Sequence, residues 1–249
     1  VIFTESNTVE AYIRDRLAGP VRSMHPTEAR GQEASYSPSG LGWRYASPYD
    51  VPRQPQEVLV ERWVHDALIR LNPEIASMPD RADDVLYKLR AIIMGVRSDG
   101  LVKANEEFAA WLTGERSMPF GPNGEHITIR LLDFADISRN EYVVTTQYTV
   151  RAGATEKRAD LVLLVNGIPL VIIEAKTPVR SSQSWLDGAI QIHDDYERNV
   201  PELFVPNLIS VATEGKEFRY GSIGLPLELW GPWRIESDVE TPALQTVAK

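Results

Sequence analysis

Apolar residues recur at three- and four-residue spacing through the first half of the chain and in extended runs through the second. Val9, Tyr12, Ile13 and Leu17 mark one face of a short helix, with Thr8 as its N-cap and Gly19-Pro20 as its stop. From 21 to 55 the chain is rich in Gly, Pro and Ser without a sustained period, which predicts a long irregular segment anchored by Trp43 and Tyr45. Helical spacing returns over 58–71 (Val60, Val64, Leu68, Leu71), 82–94 (Val85, Leu86, Leu89, Ile93) and 104–112. After Gly121-Pro122-Asn123-Gly124 the pattern turns to β-branched and aromatic runs, predicting strands over 127–134, 142–150, 159–165, 170–175, 208–212 and 218–223. One more helix, 183–198, carries an apolar stripe of Trp185, Ala189, Ile192 and Tyr196.

This order predicts a mixed α/β (α+β) fold, a central mixed β-sheet flanked by helices with a helical N-terminal half, and excludes a doubly wound dinucleotide fold. We expect a single domain over 1–249: a mainly helical portion to 125, and a sheet core over 126–235. The chain has 249 residues, no cysteine and four scattered histidines, so thiolate chemistry is excluded and any metal would rest mainly on carboxylate oxygens, which favour magnesium, calcium or manganese. Its net charge of -9 argues against a protein that coats nucleic acid through bulk positive charge. No apolar run is long enough for a membrane span or an export signal, which predicts a soluble, cytoplasmic chain. Because it begins at Val1, we read it as a piece of something longer.

The stretch that carries chemistry runs from Arg158 to Lys176. Two nearly continuous apolar strands flank Asn166-Gly167, and Asp160, Glu174 and Lys176 sit at the ends farthest from that turn. Carboxylates at apolar strand ends are costly unless compensated, and a divalent cation compensates two at once. Lys176, two residues past Glu174, projects from the same face. Register sets a condition. A plain two-residue turn pairs Val165 with Ile168 and Asp160 with Ile173, and sends Glu174 to the wrong side. Convergence therefore requires a loop with an odd number of residues, or a β-bulge between Asp160 and Glu174, with Gly167 at positive φ. The plainer alternative is a strand pair that ends in a surface Glu174-Lys176 ion pair.

The stretch resembles the PD-(D/E)XK nucleases, and among them the N-terminal cleavage domain of the R subunit of type I restriction endonucleases. The resemblance rests on Asn140-Glu141-Tyr142, Gln147-Tyr148, Arg158-Ala159-Asp160, Asn166-Gly167-Ile168-Pro169-Leu170 and Glu174-Ala175-Lys176, followed by Val211 to Gly215, Arg219-Tyr220-Gly221 and Gly231-Pro232-Trp233. It implies a restriction-endonuclease-like fold and magnesium-dependent hydrolysis of double-stranded DNA without sequence choice of its own. Asp160 and Glu174 would hold the metal (Mn2+ as substitute) and Lys176 would be catalytic. Two departures stand out. The family's Arg-Pro-Asp has alanine at 159, and its Gln-x-x-x-Tyr helix element reads Gln191 to Tyr196 with one residue too many, placing Asp195 on the face of Gln191 in a regular helix. Gln191 and Tyr196 are the catalytic candidates there, with core packing the alternative for Tyr196. Glu10 is a further metal candidate, as many nucleases of this superfamily place a helical glutamate beside the metal; solvent exposure is its alternative.

The resemblance also implies partners: DNA, and the modification and specificity subunits of a restriction complex. The chain has no phosphate-binding Gly-x-x-x-x-Gly-Lys-(Ser/Thr) loop, so ATP would act only through a motor domain elsewhere. Between Arg139 and Arg180, six basic residues (Arg139, Arg151, Lys157, Arg158, Lys176, Arg180) stand against four acidic ones, a mildly positive stretch in an acidic chain. Two rival readings stay open: a stand-alone repair nuclease of the same superfamily, and a catalytically silent scaffold that docks a motor onto partner subunits.

Overall fold

The computed structural model describes residues 9–20, 40–177 and 184–232. Thr8, Arg180, Trp233, the start of the 183–198 helix and most of the 21–55 segment lie outside these residues. The first helix, α1 (Ala11–Ala18), ends at Gly19, whose positive φ of 82° lets its N–H reach back to Asp15 O. A short strand, β1 (Arg44–Ala46), precedes α2 (Glu61–Leu71), α3 (Pro73–Ala76), α4 (Arg81–Asp99) and α5 (Leu101–Leu112). In α2 the buried residues are Val64, Ala67, Leu68 and Leu71, the stripe that the spacing marks. The helices α4 and α5 run longer than 82–94 and 104–112, and Gly100 at φ 86° separates them.

The run 127–134 corrects the reading as one strand. Only β3 (Ile127–Thr128) pairs, with β2 (Ser117–Met118), in a ribbon apart from the main sheet. Ile129, Leu131 and Leu132 are buried beyond it. In place of a neighbouring strand, the Asn72 side chain donates to Arg130 O at 2.9 Å and accepts from Arg130 N at 2.8 Å. Apolar content thus signalled burial, while amide side chains, Asn72 on Arg130 and Asn166 on Leu131, replaced the ladder.

The main sheet adds β4 (Tyr142–Ala152), β5 (Thr155–Val165), β6 (Ile168–Ala175), β7 (Ile209–Thr213), β8 (Phe218–Gly221) and β9 (Gly231–Pro232), in the order β1-β4-β5-β6-β7-β8-β9. Two pairs, β1/β4 and β6/β7, are parallel and the rest antiparallel, a mixed seven-stranded sheet flanked by helices and consistent with a restriction-endonuclease-like fold. The segment read as irregular supplies β1, three residues too short to show a pattern of their own; Trp43 beside it packs edge-on against Tyr142 at 5.2 Å. Helices α2, α4 and α5 bury one sheet face in the main core, and α1 covers the other through Ile13 and Leu17 against Val144, Leu161 and Ile173. No helix among the described residues is long and apolar enough to cross a membrane.

Between β5 and β6, Val165 pairs with Ile168, so the turn has two residues, and the odd-loop expectation is not met. Asn166 and Gly167 both take left-handed conformations, φ 52° and 82°. The bulge is present instead: Leu164 faces Pro169, Leu163 faces Val171, and Leu170 is the extra residue. Pro169 has no N–H for the ladder, which makes this the least costly place to interrupt it. The turn is clamped to α2, since Val60 N donates to Gly167 O at 2.9 Å. Asn166, 1% exposed, donates to Leu131 O and Asn140 Oδ1 and accepts from Glu141 N and Arg70 Nη2. The Asn140 and Asn166-Gly167 motifs thus meet each other and hold the end of the hairpin away from the carboxylates.

Candidate active site

Past the bulge, Leu161 faces Ile173, and one step further brings Asp160 alongside Glu174. Here the backbone ladder gives way to side chains. Asp160 Oδ2 accepts from Ala175 N at 2.9 Å, and Asp160 N donates to Glu174 Oε1 at 3.3 Å. Each carboxylate therefore satisfies an amide on the other's strand and is held in place by it. Gly188 of α6 (Trp185–Ile190) packs over Glu174: a Cβ there would stand 3.4 Å from Glu174 Cβ and from Ala212 Cβ. The side chain of Glu174 is fully buried, and its Oε2 has no hydrogen-bond partner.

Lys176 comes to the same side, its Nζ 3.6 Å from Glu174 Oε2. From Lys176 a chain of bonds runs through the helix. Its Nζ donates to Gln191 Oε1 at 2.5 Å, Gln191 Nε2 donates to Tyr196 OH at 2.6 Å, and Tyr196 OH donates to Arg158 O at 2.9 Å, two residues before Asp160. The structure corrects the expectation that Asp195 displaces Tyr196 from the face of Gln191. Residues Gln191–Tyr196 form a π-helical turn between α6 and α7 (Glu197–Asn199), so that residue i+5, not i+4, stands above residue i. Asp195 instead bonds Lys157 Nζ at 2.7 Å. Tyr196 also packs in the main core, as its alternative reading expected.

Glu10, at the start of α1, is 4% exposed, which removes the exposed alternative. Its Oε2 accepts from Gln147 Nε2 at 3.0 Å. In the sequence Gln147 stood only within the Gln147-Tyr148 motif that carries the resemblance, with no site role attached to it.

Burial is the first cause that pushes the Glu174 carboxyl well above the usual carboxylate range; the Asp160 charge adds to it and Lys176 opposes it. Burial, with the charges of Glu174 and Asp160, likewise pushes the Tyr196 phenol up, so it stays a neutral hydrogen-bonding group. Among the described residues no three of His, Cys, Asp and Glu stand together as a ready-made metal cage. The Asp160-Glu174 pair fits a hard divalent cation nonetheless: its donors are oxygens, and the buried Glu174 Oε2 accepts no hydrogen bond. Two protein carboxylates with the remaining positions left to water and substrate is how magnesium is commonly held.

A family model described as the type I restriction enzyme R protein N terminus matches residues 28–224. The chain belongs to this family. It is 30% identical over 209 residues to the type I restriction enzyme HindI endonuclease subunit of Haemophilus influenzae, covering 78% of the chain and 19% of that protein. It is 27% identical over 250 residues to the putative type I restriction enzyme MjaIXP endonuclease subunit of Methanocaldococcus jannaschii, covering 95% of the chain and 23% of that protein. The chain thus spans about a fifth of the length of these relatives. In this R protein N terminus the matched span contains Gln147, Asp160, Glu174, Lys176, Gln191 and Tyr196, whereas Glu10 precedes it.

Proposed function

We propose that this domain is a metal-dependent endonuclease module that hydrolyses phosphodiesters of double-stranded DNA, without sequence choice of its own, as the cleaving part of a type I restriction enzyme. The observation that carries this reading is the Leu170 bulge, which brings Asp160, Glu174 and Lys176 to one point. Asp160 and Glu174 would hold magnesium, or manganese in its place. Bound there, the cation supplies Lewis-acid polarisation of the phosphate and acidifies a water. Lys176, held by Gln191, directs its ammonium into the same space, where it orients that water or stabilises developing negative charge. Gln191 and Tyr196 fix the Lys176 head group through bonds that end on the β5 backbone. The sequence-derived assignment of Gln191 and Tyr196 as catalytic becomes one of positioning in this reading.

The silent-scaffold reading gives no reason to bury Glu174 next to another acid with an oxygen that accepts no hydrogen bond. The relatives named as endonuclease subunits support a restriction assembly over a stand-alone repair nuclease. On this reading the modification and specificity subunits supply site recognition, a motor domain elsewhere in the polypeptide uses ATP, and the enzyme works in the cytoplasm. The test is DNA cleavage by the full complex with Glu174→Ala and Lys176→Ala. Cleavage is expected to fall below detection in both, and wild-type cleavage by Glu174→Ala refutes the assignment.

A further inference from the structure

Gln147 lies in the middle of β4 with φ 53°, and besides the turn residue Asn166 it has the only positive φ recorded for a non-glycine among the described residues. A side chain at such a backbone angle is strained, and strain of this kind marks sites where the conformation is used. Its neighbours Thr146 and Tyr148 pair with Leu161 and Ala159, so Gln147 stands at the register position of Asp160. The kink changes which residues face which layer. Val144 lies under α1 and regular alternation would send Tyr148 there too, yet Tyr148 is buried in the main core with its hydroxyl on Val58 O at 2.8 Å. On β5, Val162 and Ala159 both enter the main core although they are an odd number of residues apart. The two strands therefore change face together at Gln147 and Asp160.

We propose that Gln147 is a positioning residue of the cleavage site: its left-handed backbone takes the side chain out of the strand alternation to grip Glu10, and so fixes the start of α1 over the strand position of Asp160. This deepens the nuclease reading above and rests on it. Glu10 is buried, and a buried carboxylate that accepts an amide donor is held in one orientation. That bond ties the start of α1 to β4 at the register position of Asp160.

The test uses the full-length R polypeptide in its complex. Asn accepts a left-handed backbone but is one methylene short of Glu10, and Gly accepts it without a side chain, so Gln147→Asn and Gln147→Gly remove the grip while sparing the fold. Both are expected to keep the parental melting temperature or exceed it. Both should raise the magnesium concentration for half-maximal cleavage by about 10-fold or more, the scale seen when partners that orient ligands are lost. In metal-free protein, amide hydrogen exchange over 11–18 should quicken in both variants. Gln147→Asn combined with Glu10→Ala should be no worse than Glu10→Ala alone. Unchanged magnesium dependence together with unchanged exchange over 11–18, or losses that simply add in the double variant, overturns the proposal. Glu174→Ala measured in parallel separates the two readings. If it still cuts, the nuclease assignment falls, and hydrogen exchange alone then decides whether Gln147 holds Glu10.

Discussion

Gln191 and Tyr196 are five residues apart and meet at 2.6 Å because the backbone between them winds as a π-turn. In an α-helix that neighbour would be Asp195, and the bond chain from Lys176 to the β5 backbone would break. The wider turn sends Asp195 to Lys157 and leaves Tyr196 bonded to Arg158 O of β5. The wider turn thus keeps Gln191 and Tyr196 in contact across five residues.

If the π-turn only absorbs an extra residue, deleting Asp194 should convert it to a regular α-turn. Asp194 is exposed and bonds His193 and Arg198 at the surface, pairs worth roughly 0–1 kcal/mol. The deletion variant is expected to fold with a melting temperature equal to or above the parent and to cut DNA at the parental rate. A melting temperature more than 5 °C lower, measured by calorimetry, would show that the π geometry itself is required.

Glu174 predicts a pH signature for the metal-free protein. Its native carboxyl keeps a proton to a higher pH than the unfolded side chain, which titrates near 4.5. Below that pH its stabilising contribution is complete; as pH rises through the window up to the raised native value, the unfolded chain gives up its proton first and stability falls. Glu174→Gln removes this loss. Its melting temperature should match the parent near pH 4.5 and exceed it increasingly toward neutrality, at roughly 2–4 °C per kcal/mol relieved. Added magnesium should raise the melting temperature of the parent and leave that of Glu174→Gln nearly unmoved.

Gly167→Ala probes the hairpin without touching a carboxylate. A Cβ there would stand 2.7 Å from Val60 O and 2.9 Å from Trp63 Cβ, at a backbone φ of 82°. The expected cost is about 2 kcal/mol or more, from strain and from loosening the clamp on α2. Denaturant unfolding should record it, and cleavage should fall with it as the turn's register loosens.

Asp160→Ala and Lys176→Ala should stop cleavage by the complete enzyme while ATP hydrolysis and translocation continue at parental rates. The motor of the proposed assembly lies outside this chain, and neither residue supports a core contact that a distant domain would feel. Concurrent loss of ATPase activity in steady-state assays would contradict that separation.

The sequence by itself determined the helical stripes, the apolar strands around Asn166-Gly167, and the acidic and basic residues at their far ends, because these rest on local periodicity and on the cost of placing charge in apolar strands. It also set the condition for convergence, an odd residue between Asp160 and Glu174. Tertiary structure alone decided how that condition is met: a two-residue turn clamped by α2, with the slip moved to Leu170 beside a proline that cannot donate to the ladder. It decided that Ile129, Leu131 and Leu132 are buried without a strand partner, since Asn72 comes from 58 residues away to bond Arg130 between them. The π-turn and the left-handed Gln147 were equally hidden from the pattern. Both are backbone conformations unfavourable in isolation, and they persist here through bonds to residues distant in sequence: Tyr196 to Arg158, and Gln147 to Glu10.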